Sequence, residues 1–300
     1  MPGAVRRIRS SDGVSVALHD LGGHDLGGHD LGGTGATLLI SHATGFHGRC
    51  YLPIAHALAD RFHSVAPDLR NHGDTATGDT ATGDTGEAAP VDWRRYGDDA
   101  EAVALAVAAE SPRGPLVGFG HSMGAACLLM VALRQPGLFQ RLVLFEPIVF
   151  PDGLAPLDGH ENPLVGGARR RRSRFPSFDE AIRNFASKPP MNSFTPAALE
   201  AYVRFGFAEG PAGSVHLKCR PEVEAATFSM GSRHGTWELL GDIATPVTVV
   251  TGQPEPMRPS ERGAGLADAL PNGRYVQLDD LDHFGPMVDP QRIAEIIAAD

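Results

Sequence analysis

The chain is poor in cysteine. Its three thiols, Cys50, Cys127 and Cys219, are odd in number and far apart, with no Cys-x-x-Cys pair and no Cys/His metal spacing. That rules out a disulfide scaffold and predicts free thiols in a reducing compartment. No run approaches the roughly 18 apolar residues that read as a membrane span. The opening Met1-Pro2-Gly3-Ala4-Val5-Arg6-Arg7 is not followed by the apolar stretch of a signal peptide. The expectation is a cytoplasmic protein with no membrane span. Positive charge is also short: 26 Lys and Arg face 36 Asp and Glu, a net −10, which argues against a nucleic-acid or anionic-membrane partner.

Long repeats are missing too. Two short ones of period five occur, His19-Asp20-Leu21-Gly22-Gly23 (again from His24 and His29) and Gly73-Asp74-Thr75-Ala76-Thr77 (again from Gly78 and, in part, Gly83). Neither has the period of about 20–50 residues that marks a solenoid. Their Gly and Asp content predicts surface loops. The three His-Asp pairs sit on a Gly-rich loop that does not preorganise a coordination shell, so no metal site is expected.

What is present is alternation. Short apolar strands are predicted at 15–19, 37–41, 64–67, 115–119, 142–145, 247–251 and 275–278, and helices at 52–60, 93–110, 122–133, 260–270 and 287–299. Strands that alternate with helices imply a mostly parallel sheet covered on both faces. Three hundred residues with 42% hydrophobic content suffice for one such domain carrying an insertion. The stretch 151–243 differs in texture, with a Pro/Gly loop, the run Arg169-Arg170-Arg171-Arg172, and helix starts at Ser177 with Glu180 and at Thr195 before Pro196. It predicts a helical cap between core segments 1–150 and 244–300. Phe175, Phe178, Phe185, Phe194, Phe205, Phe207, Phe228 and Met230 supply its apolar surface, two or three of them facing a ligand. The four consecutive arginines would point all round a helix and are expected to be solvated.

The run Gly120-His121-Ser122-Met123-Gly124 lies between a predicted strand and a predicted Ala-rich helix. The Gly-x-Ser-x-Gly spacing has a mechanical reason. The serine must sit on a strained turn that lifts its hydroxyl above the sheet, and glycines on either side let helix and strand approach closely. The helix that follows aims its first N–H groups at developing negative charge.

With His42-Ala43-Thr44-Gly45-Phe46-His47-Gly48 after the strand at 37–41, and Pro67-Asp68-Leu69-Arg70-Asn71-His72-Gly73-Asp74 downstream, the sequence resembles the α/β-hydrolase superfamily, in its lipase/esterase-like branch. Ala43 stands where many members carry glycine. The resemblance implies an α/β-hydrolase fold, an oxyanion hole from the backbone N–H groups of Thr44 and Met123, and Ser122 as nucleophile. It gives Asp68 and Arg70 a structural role. The general base is chosen from thirteen histidines by position: His283, in Asp282-His283-Phe284-Gly285, comes last, as in that family. His121 is expected to pack, and His42, His47 and His72 to line loops or the pocket wall.

The acid is open between Glu146, after the strand at 142–145, and Glu255, after the strand at 247–251, with a lean to Glu146. The implied activity is cofactor-free hydrolysis of a small, partly apolar ester or related acyl compound by a monomer or homodimer. The alternatives are a non-catalytic ligand-binding protein on a hydrolase fold and a haloperoxidase/perhydrolase-like enzyme.

Overall fold

A computed structural model describes residues 5–22, 36–75, 88–110, 116–151, 162–256 and 258–299. In chain order the first elements are β1 (Arg6–Arg9), β2 (Ser15–Asp20), β3 (Ala36–Ser41), α1 (Leu52–Ala57), β4 (Phe62–Asp68), α2 (Trp93–Glu110), β5 (Leu116–His121), α3 (Met123–Arg134) and β6 (Phe139–Phe145). The insertion carries α4 (Pro163–Arg169), β7 (Arg174–Phe175), α5 (Phe178–Ala186), α6 (Pro196–Gly206), β8 (Phe207–Glu209), β9 (Val215–Leu217) and α7 (Pro221–Ser229). The chain closes with β10 (Val247–Thr251), α8 (Gly263–Ala269), β11 (Gly273–Gln277), α9 (Gly285–Val288) and α10 (Pro290–Ala299).

Eight strands form one sheet in the order β1-β2-β4-β3-β5-β6-β10-β11. The first two pairings, β1 with β2 and β2 with β4, are antiparallel; from β4 to β11 every pairing is parallel. Alternate side chains of β3 feed two cores, as the period of two along a strand requires. Leu38 and Ile40 pack with Ile54 of α1 and Ile293 and Ile297 of α10. Leu39 faces the other way, with Val103 of α2, Leu128 of α3 and Leu266 of α8. The sheet is therefore covered on both faces, the three-layer arrangement expected of this alternation.

α3 shows why the centre is rigid. All ten residues from Met123 to Ala132 are buried, so this helix is apolar all round rather than along one stripe. β1 escaped prediction because Arg6-Arg7-Ile8-Arg9 has little apolar signal; it is an edge strand with Ile8 partly buried. His19, where the strand expected at 15–19 overlaps the first repeat expected as a loop, lies in β2 and is 2% exposed. The repeat copies from His24 and His29, and most of the Gly73 repeat, lie outside the described residues.

The insertion sits between β6 and β10 and is not purely helical: it includes a small antiparallel sheet in the order β7-β9-β8. Its strands are two or three residues long, too short for periodicity to register. The helix starts form as the sequence suggests. Ser177 Oγ accepts from the Glu180 N–H and Thr195 Oγ1 from the Ala198 N–H, with Pro196 in the first turn. Among the described residues no helix is long and apolar enough to cross a membrane.

Candidate active site

Ser122 lies between β5 and α3 with φ 56° and ψ −115°, a backbone conformation costly for a residue with a Cβ. Its neighbours hold it there. The Ser122 N–H donates to the Phe145 carbonyl at 2.9 Å. A Cβ on Gly120 would lie 2.5 Å from Ala125 Cα, and one on Gly124 would lie 2.2 Å from the Ser41 carbonyl oxygen. Both glycines of the motif are thus required by close approach.

His283, between β11 and α9, meets Ser122 Oγ with Nε2 at 3.2 Å. Its Nδ1 meets Glu146 Oε2 at 2.6 Å. An ionised carboxylate only accepts, so Nδ1 carries the proton and Nε2 faces the serine as an acceptor. Glu146 follows directly on β6, is 1% exposed, and has φ 46°. Its N–H donates to the Val250 carbonyl at 2.9 Å, and its Oε1 accepts from the Gly252 N–H at 3.0 Å. Glu146 is therefore held by backbone of the adjacent strand β10 and of Gly252 just after it.

Glu255 is not brought to this cluster. Its side chain is more than half exposed and pairs with Arg258 at 3.7 Å. The segment after β10 runs out to solvent here, while Gly252, three residues earlier, turns its N–H toward Glu146.

The loop after β3 carries Thr44. Its two neighbours have occupied amides: the Ala43 N–H donates to Tyr51 Oη at 3.1 Å and the Gly45 N–H to His72 Nε2 at 3.1 Å. Among the described residues no acceptor is paired with the backbone N–H of Thr44 or of Met123. Thr44 and Met123 meet directly, with Thr44 Oγ1 at 3.5 Å from Met123 Sδ. The Ala43 carbonyl accepts from His42 Nδ1 at 2.8 Å and from the Phe46 N–H at 3.1 Å. In a trans peptide the N–H points opposite to the C=O, so these two bonds fix the direction of the Thr44 N–H.

Three histidines that the sequence left as packing or wall residues brace this loop. His42 Nε2 accepts from the Leu69 N–H at 2.9 Å, and His72 Nδ1 donates to the Arg70 carbonyl at 2.8 Å. His121 points away from Ser122 and bridges Tyr51 Oη at 2.9 Å and the His283 carbonyl at 2.8 Å. Burial lowers the affinity of all three for a second proton, taking His42 to about 3, so each is a neutral ring with one donor and one acceptor. Position beside the motifs was the only sequence signal for them; for Tyr51 there was none.

Asp68 accepts from the Gly48 N–H, the Asp74 N–H and His19 Nε2, each at 2.7 Å. Burial alone would raise its pKa, but the His19 hydrogen bond and charge hold it well below the usual carboxylate range. Arg70 is fully buried against Asp99 at 2.7 Å. Both support loops rather than touch Ser122 or His283. His19, Asp68 and Asp74 are one group with metal-ligand side chains close together. Lys218 and Arg49 already pair with Asp74, which balances the charge there.

The insertion roofs the cluster with aromatic rings. Phe194 lies 5.7 Å from Phe284, the neighbour of His283, and 6.2 Å from Phe46. Phe46 also meets Tyr202 of α6 edge-on at 5.3 Å. Phe175, Phe185 and Phe207 pack on one another inside the insertion, and Phe178 and Phe205 lie under Arg204 and Arg49. Phe228 packs on the α4–α7 contact, and Met230 against the core below. The arginine run is not wholly solvated: Arg171 is turned in, with Nη1 at 2.7 and 2.9 Å from the two carboxylate oxygens of Glu224.

A family model described as "Alpha/beta hydrolase family" matches residues 37–296. The chain is 27% identical over 223 residues to a type I acyl-CoA thioesterase from Penicillium brevicompactum, covering 72% of this chain and 47% of that protein. It thus spans about half the length of that relative. It is 22% identical over 274 residues to a 2-(acetamidomethylene)succinate hydrolase from Mesorhizobium japonicum, covering 86% and 85% of the two chains. Among solved structures, a peroxisomal alpha-beta-hydrolase from Saccharomyces cerevisiae superimposes with a TM-score of 0.75 at 17% identity, covering 100% of this chain and 85% of that one.

Proposed function

This chain belongs to the alpha/beta hydrolase family, and from that premise we propose that it is a serine hydrolase cleaving a partly apolar acyl ester or related acyl compound. Ser122 is the nucleophile, His283 the general base and Glu146 the acid that orients it. The observation that carries the reading is the continuous contact chain from Ser122 Oγ through both ring nitrogens of His283 to a buried carboxylate. Glu255 has no part in the chemistry.

His283 Nε2 takes the proton from Ser122 as Oγ bonds to the substrate carbonyl carbon. The carbonyl oxygen becomes an oxyanion that accepts from the N–H groups of Thr44 and Met123. The imidazolium is stabilised by Glu146 and returns its proton to the leaving alcohol oxygen as the acyl–oxygen bond breaks. Water then attacks the acyl-enzyme, giving one proton to His283 and its hydroxyl to the acyl carbon. Ser122 leaves with the proton back from the ring. Every group in this cycle is a protein side chain or amide, so it calls for no cofactor. The roof of Phe46, Phe194 and Phe284 suits an apolar acyl or aryl portion.

The test pairs a fluorophosphonate probe with p-nitrophenyl ester turnover. The expected result is stoichiometric phosphonylation mapped to Ser122, with turnover lost in Ser122→Ala. Labelling without turnover of any acyl substrate would instead favour a ligand-binding role, and no labelling at Ser122 would sink the reading.

A further inference from the structure

The oxyanion loop and the base loop come from opposite ends of the chain, yet a single buried hydrogen-bonded path joins them. Its direction is fixed by chemistry. The His283 carbonyl can only accept, so His121 Nε2, 2.8 Å away, bears the proton. In the neutral ring His121 Nδ1 is then an acceptor, and Tyr51 Oη at 2.9 Å must donate to it. The same hydroxyl oxygen accepts from the Ala43 N–H at 3.1 Å. The path therefore runs one way: Ala43 N–H to Tyr51 O–H to His121, and His121 N–H to the His283 carbonyl. Tyr51 and His121 are both fully buried, which shields the bonds from Ala43 to Tyr51 and from Tyr51 to His121 from water.

Packing reinforces the path. The His121 ring is 5.1 Å from the His283 ring, 5.6 Å from Phe145 and 6.1 Å from Tyr51. Its neutrality matters at that distance. A second cation beside His283 would oppose the imidazolium that forms there, and burial together with the nearness of His283 keeps His121 uncharged.

We propose that Tyr51 and His121 are positioning residues that lock the oxyanion loop and the base loop to each other, so that the Thr44 amide and the His283 ring hold one fixed separation. This rests on the serine-hydrolase reading above. Neither residue touches the reacting atoms. Each acts through a backbone group beside one that does: Ala43 beside Thr44, and the carbonyl of His283 itself. The motif residue next to the nucleophile thereby serves both sides of the transition state at once.

The experiment compares the wild type with Tyr51→Phe, His121→Gln and His121→Leu. It measures ester kcat and KM, the rate of fluorophosphonate labelling at Ser122, and Tm. Tyr51→Phe removes one oxygen from the path. It is expected to lower kcat and the labelling rate together by about 10- to 100-fold, below the loss for deleting an oxyanion donor outright, with KM within about twofold. His121→Gln can still offer an N–H to the His283 carbonyl, whereas His121→Leu fills the space only. Gln is expected to be at least about fivefold faster than Leu at similar Tm, one hydrogen bond's worth of rate. Equal rates for Gln and Leu, or wild-type labelling of Tyr51→Phe, overturn the proposal. Should Tyr51→Phe fail to fold, the Gln–Leu comparison decides. A wild type that does not label at Ser122 overturns the hydrolase reading and this proposal with it, whereas a labelled wild type with unaffected variants overturns the proposal alone.

Discussion

At the scale of single residues, the question left open by the sequence was which glutamate serves His283. Glu146 and Glu255 both follow strands of the parallel sheet, and neighbouring letters do not say which carboxylate turns inward. The structure separates them by burial and partners: one is 1% exposed and bonded to His283 and the Gly252 N–H, the other is exposed beside Arg258. Glu146→Gln is therefore expected to lower kcat by about 10²- to 10⁴-fold, because the neutral amide neither fixes the tautomer nor stabilises an imidazolium. Glu255→Gln should stay within about twofold of wild type, the usual outcome for an exposed pair. Parallel steady-state assays of the two variants check this, and the reverse ranking would reassign the acid. Ser122 was legible as a candidate because mechanical constraints act within a few residues of it, and His283 because it comes last in the chain order of the family that the sequence resembles. Tyr51 and the bracing role of His42, His72 and His121 were not, since each depends on a partner many residues away.

Among the elements, legibility followed length and local chemistry. α2 is recovered at both ends, Trp93–Glu110, because eighteen residues of helical period leave little ambiguity. The last helix, expected as one, is broken into α9 and α10 at Asp289, where Pro290 removes an N–H and restricts the residue before it. The capping signals of α5 and α6 needed only three or four adjacent residues, and their bonds form. α6 matters most of these, since it carries Tyr202 against Phe46 and starts where the Thr195 N–H donates to the Met287 carbonyl of α9. Thr195→Ala removes the cap and should cost about 1 kcal/mol. Read by urea denaturation, the midpoint should fall, while Ser122 labelling in the folded range stays near wild type. A stability unchanged within error would mean the Thr195 hydroxyl contributes nothing to the helix.

For the whole molecule, the buried histidines set its response to acid. His42 and His47 are fully buried, and burial takes both to about 3 from an ordinary 6.5. The unfolded chain then binds more protons than the folded one between those values, so stability rises with pH across that window and falls as pH drops from 6.5 toward 3. At pH 5 each contributes a loss on the order of 2 kcal/mol relative to neutral pH. Asp68 acts in the same direction at lower pH: its folded pKa is depressed, so its contribution is present above the unfolded value of 3.8 and disappears on further acidification. Urea midpoints are expected to drop steeply between pH 7 and pH 5. A flat profile there would show that the two rings can take up protons without leaving the fold.

The way the insertion joins the sheet limits what this architecture can become. β6 and β10 are hydrogen-bonded neighbours running in the same direction, with Leu142 beside Val247 and Phe145 beside Val250. The chain leaves the upper end of one strand and must re-enter at the lower end of the next, a journey that needs a dozen or more residues whatever else they do. Leu240 and Ile243, on the way back, are embedded in the core below. A descendant could therefore remodel the roof over Ser122 residue by residue, but a splice of only a few residues from Pro147 to Pro246 would break the parallel pairing of β6 with β10. The crossover that makes the sheet parallel sets only a minimum length of chain between these two strands; what stands over Ser122 is what the insertion carries beyond that minimum.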